Sequence, residues 1–319
     1  MRIDVEKLIP SIFIEDINLN KGNSYISQLT ILTIKSLLPQ EEEVANRIDY
    51  KRFKEELKLW EGYCIGENIS LLNLIKERDR KQYFSYYDED FYTRLIPLIV
   101  ANGDFKIIEE ELIKNLLYFS GNVENLLEWL SIAYGVYLLV EGAEDRYGKL
   151  KEFLIKLSQV ELEESFNGFF TLNEEKNKAY KIRFEKERIA LINLLNGVRL
   201  NKYLNLQDLL SVIEGGDPTT SLGRIVFRAS GEIDLKLLDS FYINMNRYII
   251  NLRKGRIDVD KLRIKEYVLP DIFSFNEGDV FYHSLLNYCK VLKKEVRSNV
   301  LTSLISTKSG NYLFKRDPV

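Results

Sequence analysis

The residues able to do chemistry are few, and their spacing excludes more than it suggests. His283 is the one histidine. A His-rich zinc site therefore cannot be built, and a Ser–His–Asp triad would have to use His283 although no Gly-x-Ser-x-Gly precedes it. Its place in a run read as helical, beside Tyr282, suits a structural role. Cys64 and Cys289 are far apart and form no Cys-x-x-Cys, so two partly buried reduced thiols are expected. Neither Gly-x-x-x-x-Gly-Lys-[Ser/Thr] nor Gly-x-Gly-x-x-Gly occurs, which argues against a glycine-rich phosphate loop. Tyr86-Tyr87-Asp88-Glu89-Asp90 places acids at a helix start, where the helix dipole favours them. The same run could form an acidic, aromatic rim that stacks an adenine or meets a basic protein. Arg253–Lys265 is the densest basic stretch, but Asp258 and Asp260 dilute it into what reads as a solvated connection. Arg224 and Arg228 would share one face of a strand in Gly223–Ser230, a weak pointer to phosphate.

The elements that must position these residues read as mostly helical. Apolar side chains recur at helical steps over 25–38, where Pro39 stops them, and over 50–60. Further helices are expected from Asn68 to about Glu77, from Asp90 to Gly103, over 106–119, and over Glu124–Val140. The last is apolar on most sides and belongs at the centre of a domain. Beyond Gly142, 146–162, 173–196, 234–253 and 279–306 read as helices. Gly223–Ser230 reads as a strand, Phe166–Leu172 as a loop or small strand, and Asp258–Ile264 and Phe273–Phe275 as connections. One domain is expected, with Gly215–Pro218 its plausible seam.

Composition sets the outer bounds. Across 319 residues, hydrophobic side chains make up 45% and aromatics 12%, enough for a large core. Lys and Arg number 45 against 48 Asp and Glu, so the chain as a whole gives no argument for nucleic acid or an anionic membrane, and leaves room only for a local basic patch. The charged start MRIDVEKLIP does not read as a signal peptide, and no apolar run approaches ~20 residues. A cytoplasmic location is expected, with no nucleic-acid or membrane partner.

A family resemblance is carried by segment order. Ser24-Tyr25-Ile26-Ser27-Gln28-Leu29 leads into a helix ending Ser36-Leu37-Leu38; Asp49–Trp60 and the turn Gly62-Tyr63-Cys64-Ile65-Gly66 follow. Asp90–Asp104 then brings Arg94, Pro97 and Leu98 into register, Ser120-Gly121-Asn122 breaks two helices, and Leu285–Lys308 closes the pattern. This order resembles the ADP-ribosylglycohydrolase family, of the dinitrogenase-reductase-activating glycohydrolase type. The resemblance implies a single compact all-α domain that removes ADP-ribose from proteins, or hydrolyses related conjugates, using two magnesium ions.

The family's aspartate clusters are missing here. Two magnesium ions need converging carboxylates in near-octahedral geometry. Tyr25 and Ile26 stand at the two acidic positions of the first motif, leaving Ser24 and Ser27 to offer hydroxyls. The second motif falls in Leu292–Asn299 and offers Glu295 alone among Lys293, Lys294 and Arg297. Glu89 and Asp90 occupy the family's Asn-Gly, its histidine positions fall near Ser120 and Asn122, and its early Gly-Asp corresponds to Glu15-Asp16. The resemblance thus nominates Glu67, Glu89 and Asp90 as candidate acids. It nominates Ser24, Ser27, Arg94, Ser120, Asn122 and Glu295 as candidate ligand-binding residues. Lys294 or Arg297 could replace a cation's charge by meeting Asp16, Glu89 or Asp90; the alternative is a solvated helix face over 293–297. Arg94 is either a positioning residue or a salt bridge within the bundle.

Three functional readings remain open. The first is a degenerate, non-catalytic relative that binds an ADP-ribose-like ligand or a protein partner, for example in immunity to or regulation of ADP-ribosylation. It needs no cofactor, and requires a concave pocket where 22–28, 88–94, 118–122 and 292–298 meet. The second is an active hydrolase with diverged magnesium ligands, which needs at least three converging carboxylates. The third is an unrelated helical interaction protein, with no pocket there and an exposed apolar patch elsewhere.

Overall fold

The computed structural model describes residues 1–40, 44–66, 71, 80–157 and 174–316. Many of its helices begin where short polar side chains satisfy the free amides of the first turn. Asp4 caps α1 (Val5–Asn20), Ser24 caps α2 (Tyr25–Ser36), and Asp49 caps α3 (Tyr50–Glu61). A short ribbon of β1 (Leu37–Pro39) and β2 (Asn46–Ile48) joins α2 to α3. Next come α4 (Arg80–Ser85), α5 (Tyr92–Ala101), α6 (Phe105–Phe119, capped by Asp104) and α7 (Val123–Glu141, capped by Asn122). They are followed by α8 (Arg146–Lys156), α9 (Glu174–Leu195), α10 (Leu204–Ile213), α11 (Ser221–Ser230) and α12 (Ser240–Arg253).

Helix α7 is the hub. It packs against α6, α8, α9 and α10, and buries Leu127, Trp129, Ile132 and Val136 completely. It is also long and apolar enough to cross a membrane, yet most of that stretch is buried inside the protein. α1 packs against α5, α11 and α12, and α2 against α3 and α5.

Two expectations are overturned. Gly223–Ser230 is not a strand: it lies within α11, whose Leu222, Ile225, Val226 and Ala229 are buried at steps of three and four. The helical period was present, and the paired Ile225-Val226 mimicked a strand. Thr220 caps the helix by accepting the Gly223 N–H, and Asp208 fixes that cap by accepting both the N–H and the hydroxyl of Thr219 and of Thr220.

The larger correction is the fold class. The chain is not all-α but mixed, 58% helical with 13% in strands. Where a helix was expected over 279–306, the chain forms a four-stranded antiparallel meander of β3 (Val280–His283), β4 (Asn287–Arg297), β5 (Val300–Thr307) and β6 (Gly310–Arg316). Alternation decides it. Phe281, His283, Cys289, Val291, Ile305 and Phe314 point inward, while Tyr282, Tyr288 and Leu313 point out. The turn between β4 and β5 places Ser298 and Asn299 at φ 47° and 67°, the left-handed pair a two-residue hairpin demands.

The inner face of this sheet joins the same contiguous core as Trp60 and Trp129. β6 closes against the end of α3: the Lys315 N–H donates to the Gly62 carbonyl at 2.7 Å, and Tyr63 packs on Tyr312 and Phe314 with centroids 4.9 and 5.4 Å away. A side chain at position 62 would collide, since its Cβ would lie 2.9 Å from Phe314 Cδ1.

Candidate functional site

A carboxylate–hydroxyl cluster forms where α1, α2 and the start of α5 meet. Asp16, in the last turns of α1, is 1% exposed. After α1 the chain turns through Lys21 in the left-handed region, which brings Ser24 and Ser27 back over the Asp16 carboxylate. Oδ1 accepts from Asn20 Nδ2 (2.7 Å) and Ser24 Oγ (2.5 Å). Oδ2 accepts from the Ser24 N–H (2.9 Å), the Ser27 N–H (3.1 Å) and Ser27 Oγ (2.5 Å). Asp16, Ser24 and Ser27 are therefore together, and the carboxylate's lone pairs are fully used by the protein's own donors.

Tyr25 reaches across the cluster. Its hydroxyl donates to Asp90 Oδ2 at 2.7 Å. Burial, then the charge and hydrogen bond of Asp90, push the Tyr25 phenol far above its usual range. Burial raises the Asp90 carboxyl to about 6, opposed by the Tyr25 hydrogen bond and reinforced by Asp88 and Glu89. Tyr92 is shifted the same way, by burial and then by the charge of Asp90.

Arg94 combines the two roles proposed for it. Its guanidinium is fully buried, pairs with Asp88, and lies 4.7 Å from the ring centroids of both Phe91 and Phe119. Asp88 in turn accepts the Asp90 N–H at 3.1 Å, and its carbonyl accepts Trp129 Nε1 at 2.9 Å. The salt bridge thus pins the loop that carries Asp90. Ser120 and Asn122 support the same loop from below: Ser120 Oγ donates to the Tyr86 carbonyl at 2.5 Å, and Asn122 caps α7. Glu89 stands exposed beside the cluster.

The remaining candidates lie elsewhere. Lys294 donates to the carbonyls of Phe273 (2.7 Å) and Phe275 (2.9 Å) and so does not meet Asp16, Glu89 or Asp90. Glu295 is on β4 and pairs with Lys293 at 2.8 Å. The reason is the register of a strand: 292–299 is in the C-terminal sheet, not on a helix facing the acids. Glu67 and the side chain of Arg297 lie outside the described residues. His283 closes β3 instead of lying in a helix. Its Nδ1 accepts the Leu285 N–H at 3.2 Å, and burial lowers its pKa to about 4.

Two buried glutamates take structural roles. Glu15 is buried and clamped by Arg224 (2.6 Å) and Arg228 (3.0 Å), so the arginines that pointed weakly to phosphate tie α11 to α1. Glu128 is buried in α7, accepts from Tyr87 and from the Leu206 N–H, and is raised by burial to about 7. A carboxylate set between Leu127 and Trp129 in the most apolar helix is the signal for it.

These residues do not make a dinuclear magnesium site. Asp16 is saturated, Asp88 is held by Arg94, and Asp90 has a phenol across it. No grouping of three or more His, Cys, Asp or Glu suited to a metal occurs among the described residues. Two open grooves lie away from the cluster. One, of about 560 Å³, runs between α3 and β6 past Leu59, Gly62, His283 and Phe314. The other, of about 480 Å³, is lined by Arg2, Lys7, Ala229 and Arg253. Comparison of the chain with protein-family models, curated proteins and solved structures finds no match.

Proposed function

We propose that this protein acts by contact and not by turnover, as a non-catalytic binding protein of ADP-ribosylglycohydrolase-like organisation in its helical half. The saturation of Asp16 carries this reading. A carboxylate that accepts five protein hydrogen bonds holds a helix start and is not available to a cation or a water nucleophile. Neither of these two grooves touches the cluster. The C-terminal sheet supplies a surface for a macromolecular partner, with Val280, Tyr282, Tyr288, Leu292 and Leu313 exposed.

Calorimetric titration of ADP-ribose with and without magnesium, paired with a hydrolysis assay on an ADP-ribosylated protein, tests this. No magnesium-dependent heat and no release of ADP-ribose are expected. A second reading rests on Asp90, a partly exposed acid raised to about 6 and fit for general acid–base work. Under that reading, hydrolysis occurs and Asp90→Asn abolishes it while Glu89→Gln does not.

A further inference from the structure

Charge is distributed unevenly along this chain. Between Val280 and Arg316 there are seven Lys and Arg against one acid, Glu295, in a protein whose totals are 45 and 48. That segment is the C-terminal sheet, and its outer face is open to solvent. We propose that this face binds single-stranded nucleic acid, which names the partner class for the contact role above and rests on that reading.

The register shows how the face is built. Tyr282 lies opposite Tyr288, Lys290 lies between Val280 and Ser306, Lys293 is opposite Leu304, and Lys315 is opposite Thr302. A diagonal therefore runs from the two tyrosines on β3 and β4, through Lys290 and Lys293, to Lys315 on β6. At about 3.4 Å per residue along a strand and about 4.8 Å between strands, it spans several nucleotides. Tyr282 and Tyr288 are 44% and 73% exposed, with rings edge to face at 5.7 Å. Exposed rings at this angle leave faces on which bases can stack, and stacking accepts any base. The irregularity between Val291 and Lys293 brings Lys293 into line with Leu304 on the outer face.

Lys293 is bridged to Glu295, so Lys290 and Lys315 are the principal phosphate contacts. An acidic protein would also satisfy the charge. A row of lysines leading away from paired tyrosines argues against it, because protein interface cores are depleted in lysine, whereas neighbouring base and phosphate groups need both.

The test is fluorescence anisotropy of the full-length protein with a labelled oligothymidine of about 20 nucleotides, a duplex of equal length, and heparin as competitor. The single strand is expected to bind more tightly than the duplex. With two or three phosphates neutralised, log K should fall against log salt with a slope of about −1.5 to −2. Tyr288→Ala and Tyr282→Ala should each weaken binding about tenfold, and Lys290→Glu with Lys315→Glu should remove it, with thermal unfolding unchanged. Absence of binding at low salt overturns the proposal. So does binding that heparin or a polyglutamate peptide abolishes equally well while both tyrosine variants bind like the parent, for that is a bare cationic patch suited to an acidic protein. Failure here leaves the hydrolysis assay unaffected, and hydrolysis there leaves this result unaffected.

Discussion

At the meeting of α1, α2 and α5, three carboxylates are wholly or largely buried and each has a protein donor. On the outer face of the C-terminal sheet, lysines and tyrosines stand in water. The first region looks like a place for chemistry because acids gather there, but Asp16 is saturated and Asp88 and Asp90 are engaged by Arg94 and Tyr25, contacts that hold helices. The second has no arrangement suggestive of catalysis, and its polar groups are still available to a ligand. The lesson is that an acid cluster is judged by its unused lone pairs, and a binding surface by what its side chains have left to meet.

The comparison makes stability the property of one region and binding the property of the other, and it can be broken in three places. The largest effect is expected from Asp88→Ala, which leaves the buried Arg94 guanidinium without its counter-charge and should cost about 3–5 kcal/mol in denaturant unfolding. A loss under 1 kcal/mol would mean that the cluster is not what holds α5 in place. The next concerns pH. Glu128 is raised in the folded protein to about 7 from 4.5. Its contribution is therefore fully present below about pH 4.5 and is lost as pH rises through about 7, on the order of 3 kcal/mol. Glu128→Gln should flatten that slope in melting temperature against pH, and a parent protein equally stable at pH 5 and pH 8 would contradict it. The smallest is at the sheet: Val296→Ser, at an exposed position near the β4–β5 turn, should change stability by no more than about 0.5 kcal/mol.

Much of the helical body was legible, because its periods are long and its caps local. Asp49, Asp104 and Asn122 announce α3, α6 and α7 within one turn of where they begin. The sheet was not read, although Tyr288-Cys289-Lys290-Val291 alternates. A helical reading of 279–306, made from the residue pattern and matched by the closing helix the resemblance implies, outweighed a two-residue period and the Ser298-Asn299 turn. The candidate site divides the same way. Ser24, Ser27, Asp16, Asp90 and Arg94 converge because α1, α2 and α5 are adjacent in space. Lys294 and Glu295 do not, since their placement depended on a helix that is a strand. What sequence could not reveal was saturation: that two serines and an asparagine use up Asp16 is a matter of angles and distances between groups from different turns.

The hydrogen bond from Lys315 to Gly62 joins residues about 250 apart in sequence. Closing a loop of that size costs about 5 kcal/mol in chain entropy, several times the net gain of one hydrogen bond. The contact persists because the body between them has already brought α3 and β6 together. Its amide proton is therefore a witness to the whole molecule: it exchanges with solvent either when β6 peels away alone or when the entire fold opens. Comparing its exchange with that of a core amide in α7 tells which of the two the terminal strand does first.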